Sequence, residues 1–132
     1  MAPPLGAEVA THWLESGRGH ARRKALRSAM KVRHAIAAQA LDGLDFVTRP
    51  GAQHVWLRLP EVVGSARAFA GELEREGVRV SPADAFEVHR GIAPRAVRLS
   101  ISAPPTRSAL AGALARVAGR LRAGAGAVRA TL

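Results

Sequence analysis

Apolar and polar residues alternate from His54 to Leu59, with Val55, Leu57 and Leu59 on one side and His54, Trp56 and Arg58 on the other, the two-residue period of a half-buried strand. Val97, Leu99 and Ile101 repeat the alternation around Arg98. Val78 and Val80 share a side in a segment too short to stand without neighbours. A further short strand is expected near Phe46 to Thr48, followed by a turn at Pro50-Gly51. Strands paired with their apolar sides aligned would bury one face under helices. Trp56, Arg58, Arg79 and Arg98 would lie on the other.

Between and around these strands the period changes to that of helices. Leu5, Val9, Trp13 and Leu14 fall near one side of a helix over about 5–16, which Pro3 and Pro4 suit at its entry and Gly17 and Gly19 interrupt. From His20 to Leu41 two stripes run side by side. One is apolar (Ala21, Ala25, Ala29, Val32, Ile36, Ala40, flanked by Leu26, Met30 and Leu41); the other is basic (His20, Arg23, Lys24, Arg27, Lys31, His34). Ser65 is a plausible N-cap for a helix burying Phe69 and Leu73, and Gly77 its stop. Thr106 can cap a last helix with an apolar stripe of Leu110, Leu114, Val117 and Leu121. The reading is α+β, or layered α/β: a long N-terminal helix, then a small three- to four-stranded sheet covered by helices on one face. The chain divides into a helical segment over 1–43, an α/β small domain over 44–122 and a Gly/Ala-rich, flexible tail over 123–132.

Composition narrows the function classes. At 132 residues the chain forms one domain with a modest core, burying roughly two-thirds of its unfolded surface. It has no apolar run long enough to span a bilayer and no signal-peptide pattern, so no membrane role is expected and cytoplasm is the expected location. The absence of cysteine excludes disulfides, thiolate metal sites and thiol nucleophiles. Twenty Lys and Arg against ten Asp and Glu give a net charge of +10, which would attract polyanions.

Few patterns carry chemistry alone. The histidines show neither HExxH nor paired ligand spacing, and no nucleophile elbow, phosphate loop or dinucleotide fingerprint is present. Lys24 and Lys31, the only lysines, lie on the charged helix stripe. The basic stripe, widened by Arg22 and Arg33, either grips phosphates or stands solvated against acidic neighbours.

Trp56-Leu57-Arg58-Leu59-Pro60, Gly77-Val78-Arg79-Val80-Ser81-Pro82, Phe86 and Val97-Arg98-Leu99-Ser100, in that order, resemble the small C-terminal domain of fold-type I pyridoxal-phosphate enzymes, the aspartate-aminotransferase superfamily. Pro3-Pro4-Leu5, Trp13-Leu14-Glu15-Ser16-Gly17 and the Arg-rich helix after them are most similar to the aminotransferase-like part of MocR-type GntR regulators. The resemblance implies that Arg98 clamps the substrate α-carboxylate, a task suited to the planar guanidinium fork. It places Phe86 in a loop that approaches the active site, with Ala83 where the family's pattern usually has glycine. That departure puts a tight, left-handed loop conformation in doubt. Pyridoxal 5'-phosphate, its Schiff-base lysine and its phosphate cradle belong, by the same resemblance, to a large domain outside this chain.

Two functions compete. In the first, the chain is the C-terminal part of an aminotransferase-like protein. It supplies Arg98 to an amino-acid substrate but binds no cofactor and transaminates nothing alone. Its partner is a large domain or a homodimer mate, and DNA is contacted only through a winged helix that lies elsewhere. In the second, the chain is a stand-alone basic module for nucleic acid or another polyanion. The scarcity of aromatics counts against the second, because Trp56 alone offers a ring on the basic sheet face.

Overall fold

A computed structural model describes residues 4–88 and 91–129. Pro3 of the N-terminal motif and the end of the expected tail, 130–132, lie outside the described residues. Helices α1 (Pro4–Glu15) and α2 (Arg18–Ala40) are followed by strands β1 (Phe46–Val47) and β2 (His54–Arg58), helix α3 (Ala66–Arg75), strands β3 (Ser81–Pro82) and β4 (Ala96–Ser100), and helix α4 (Arg107–Arg129). Short 3₁₀ turns occupy Glu61–Val63 and Ala83–Phe86.

The sheet is antiparallel throughout, in the order β1-β2-β4-β3. Its centre is the β2–β4 pair, where Val55 faces Leu99, Trp56 faces Arg98 and Leu57 faces Val97. Alternation therefore sends Val55, Leu57, Val97 and Leu99 to one side, all buried. Met30, Ala37 and Leu41 from the α2 end, Phe69 and Leu73 from α3, and Leu110, Leu114, Val117 and Leu121 from α4 cover that side in one core. The α+β architecture with helices on one sheet face is the expected one.

Local signals explain the boundaries. The Ser65 hydroxyl accepts the Ala68 N–H at 3.1 Å, and the Thr106 hydroxyl accepts the Ala109 N–H at 3.0 Å, so both expected caps form. At the end of α3, Gly77 takes φ +79°, its N–H reaches Glu74 O, and the Val78 N–H reaches Leu73 O, the two bonds of a Schellman motif. Val78 is thus buried as part of a helix cap, and the strand expected over Val78–Ser81 narrows to Ser81–Pro82. α4 runs on to Arg129, past Leu121 and into the Gly/Ala stretch expected as a tail. Alanine's high helix propensity favours that extension.

The buried face of α2 is rotated by one residue from the expected stripe. Met30 and Ala37 pack inward, while Ala21, Ala25, Ala29 and Val32 are exposed and Ile36 and Ala40 are partly covered. Arg33 turns in with them, donating to Ile101 O at 2.8 Å and Pro104 O at 2.9 Å. His34 is also partly buried, its Nε2 donating to Ala52 O at 2.9 Å. These two residues therefore leave the basic patch and tie α2 to the sheet.

α1 has no buried residue at all: Leu5, Val9, Trp13 and Leu14 are all exposed. It meets the rest of the chain at the αL turn of Gly17, where Gly19 lets the end of α1 approach. A Cβ on Gly19 would sit 3.3 Å from Trp13 O.

Candidate functional site

The uncovered sheet face carries the residues that the helices leave out. Arg98 sits mid-strand in β4, opposite Trp56 on one side and Ser81 on the other. Chain leaving β3 turns through Ala83–Phe86 and brings Phe86 back across this face. The Arg98 guanidinium carbon lies 4.4 Å from the centre of the Phe86 ring, within cation–π range. The Trp56 and Phe86 rings are tilted at 56°, with centroids 6.1 Å apart.

Arg98 is chemically unfinished. Its Nε is buried without a hydrogen-bond partner, and none of the ion pairs among the described residues involves it. A buried N–H of a charged group lacks the water it had in the unfolded chain, so Arg98 keeps a donor that the described residues leave unsatisfied. The other sheet-face arginines behave differently. Arg58 pairs with Asp45 at 3.3 Å, and Arg79, expected on this face, lies outside the strand and pairs with Glu74 at 3.2 Å.

The Phe86 turn is held from behind. Arg67 on α3 donates twice to Asp84 Oδ2, at 3.0 and 2.7 Å, fixing the turn against the helix. Ala83 is buried at the start of the turn, and no non-glycine residue among those described has positive φ. The doubt raised by alanine at this position therefore resolves: the turn is right-handed and costs alanine nothing. After Phe86, the Glu87 carboxylate accepts the backbone N–H of Gly91 at 3.1 Å and that of Ala93, closing a loop.

No protein-family model matches the chain. Over 79 residues it is 38% identical to an aspartate aminotransferase of Thermococcus kodakarensis, a match covering 60% of this chain and 20% of that enzyme. An archaeal alanine:glyoxylate aminotransferase superposes on 87% of this chain with 29% of its own, at 26% identity and a TM-score of 0.66. The multiple substrate aminotransferase of Thermococcus profundus superposes on 86% with 29% of its own, at 22% identity and a TM-score of 0.72. The chain has an aminotransferase-like fold. The α-aminoadipate aminotransferase of Thermus thermophilus, solved with N-(5'-phosphopyridoxyl)-L-leucine, also has a TM-score of 0.72, covering 87% of this chain and 30% of its own, at 22% identity. The aminotransferase-like chain thus spans about a third or less of the length of the proteins it matches.

In this aminotransferase-like domain the two residues singled out by resemblance, Arg98 and Phe86, are in contact. Among the described residues no lysine stands beside them. Lys24 and Lys31 are exposed on α2, which covers the opposite sheet face, so neither amine reaches Arg98. Neither lysine of this chain is therefore placed to anchor pyridoxal 5'-phosphate beside Arg98. Among the described residues no group of three or more His, Asp or Glu could hold a metal ion, and no helix is long and apolar enough to cross a membrane. The Arg67–Asp84 support was not legible beforehand, since no periodicity links the two positions.

Proposed function

We propose that this chain acts as the carboxylate-holding small domain of an aminotransferase-like protein, with Arg98 receiving the α-carboxylate of an amino acid and Phe86 packing beside it. The observation that carries this reading is the guanidinium of Arg98, seated on Phe86 on the bared sheet face with a buried Nε lacking a partner. Two parallel N–H bonds from a guanidinium fork orient a carboxylate and its α-carbon together. The aromatic rings exclude water from one side of that contact and strengthen it.

The rest of the apparatus lies with another polypeptide segment: pyridoxal 5'-phosphate, its lysine and its phosphate cradle belong to a large domain or to a homodimer mate. The wholly exposed α1 and the first half of α2 offer the surface on which it would sit. Alone, the chain is therefore expected to bind carboxylates weakly and to transaminate nothing. Within the superfamily, the Trp13-Leu14-Glu15-Ser16-Gly17 motif and the Arg-rich helix favour the MocR-type regulators, in which DNA contact falls to a separate winged helix. The polyanion alternative is weakened by where the arginines go: Arg33, Arg95 and Arg122 are spent on backbone carbonyls, and Arg120 on Glu72 and Glu76.

The test is an NMR titration of the Arg98 Nε–H signal with acetate and with its methyl ester. Acetate is expected to shift the signal and the ester to leave it. An Arg98 signal indifferent to every carboxylate refutes the assignment. Sequencing the genomic DNA next to the coding region tests the larger claim, which predicts an adjoining frame that encodes a Schiff-base lysine domain.

A further inference from the structure

A recess adjoins Trp56 and Phe86, the two rings beside Arg98. It measures about 280 Å³, just below the roughly 300–1,000 Å³ usual for small-molecule sites. The two rings line it together with Val88, Ile92 and Pro94. Val88 is 90% and Ile92 72% exposed, an unfavourable position for two aliphatic side chains unless something apolar covers them.

Charge sharpens the selection. Glu87 also lines the recess, but its carboxylate is engaged by the Gly91 and Ala93 backbone N–H groups. The other described lining side chains, Ala83, Val88, Ile92, Ala93 and Pro94 beside the two rings, carry no charge. Among these residues a charged substituent would lose water and meet no counter-charge.

We propose that this recess receives the apolar side chain, branched aliphatic or aromatic, of an amino or oxo acid whose carboxylate is held by Arg98. The proposal rests on the carboxylate reading of Arg98 and adds the class of substrate. Val88 and Ile92 are its selecting residues.

The experiment titrates the full chain with acetate, 4-methylpentanoate and glutarate, following the Arg98 Nε–H and Trp56 indole signals by NMR. 4-Methylpentanoate is expected to bind about tenfold more tightly than acetate, the effect of half-burying its four extra carbons. Glutarate gains nothing. Ile92→Asn and Val88→Asn, both at exposed positions where folding is spared, should collapse the 4-methylpentanoate to acetate ratio toward one. Equal affinities for the two monocarboxylates, a preference for glutarate, or a ratio untouched by both variants overturns the apolar assignment while leaving Arg98 as a carboxylate ligand. An Arg98 signal that no carboxylate moves removes the underlying reading, and the substrate class falls with it.

Discussion

Replacing Arg33 by Met keeps the length of an aliphatic stem and deletes both donors that reach Ile101 O and Pro104 O. These carbonyls lie just past β4, and Ile101 is fully buried, so the loss leaves acceptors with little access to water. A bond from a charged donor is worth about 1.5 kcal/mol at the low end, and partial exposure of the guanidinium lowers the sum for the pair to about 2 kcal/mol. For a chain of this size that corresponds to a fall in Tm of about 6–8 °C. Arg22→Met supplies the control, because Arg22 is exposed on the same helix, and surface changes of this kind stay within about 0.5 kcal/mol. Urea unfolding followed by far-UV circular dichroism, comparing midpoints at unchanged slope, is the assay. Coincident midpoints for the two variants would show that Arg33 is an ordinary surface cation and would return it to the basic patch.

Gly77→Ala forces a left-handed φ on a residue with a side chain, and should cost about 1–2 kcal/mol, measured by the same unfolding transition. Leu57→Ala and Leu73→Ala empty fully buried positions on the sheet and on α3; each is expected to lose about 2–5 kcal/mol, enough to abolish a cooperative melt in a marginal domain. The uncovered apolar side of α1 predicts self-association of the isolated chain, and sedimentation equilibrium should show the association weakening in a Leu5→Ser/Trp13→Ser double variant. A monodisperse parent would count against that face being a covered one.

The strands were legible because alternation is a strict period: Val55, Leu57, Val97 and Leu99 admit one inward assignment, and the structure buries all four. The caps at Ser65, Gly77 and Thr106 were equally readable, since each residue type answers a specific orphaned backbone group. The phase of α2 was not. Alanines stand at so many of its positions that several faces look apolar, and the longer Met30 with the neighbouring Arg33 decides which one packs. Charge misled there as well, because Arg33 and His34 read as solvent-facing while their polar ends are consumed by carbonyls. At the candidate site, motif order singles out Arg98 and Phe86, but their contact has no signal in the sequence. The recess beside them has no periodic signature at all: near Val88 and Ile92 the Gly91 and Ala93 N–H groups both donate to the carboxylate of Glu87.

β4 runs inside the sheet, hydrogen-bonded to β2 on one flank and β3 on the other, and that placement divides labour in the proposed site. An interior strand has almost no backbone freedom left to lose, so a ligand captured by Arg98 pays only for side-chain rotamers. Val88 and Ile92 stand outside the strands at exposed positions, where substitution leaves the ladder undisturbed. The anchor is therefore preorganised and invariant in position, while the choice of what comes attached to it rests on a replaceable stretch of chain. Selectivity could drift in such a domain by loop substitution alone, with its stability untouched.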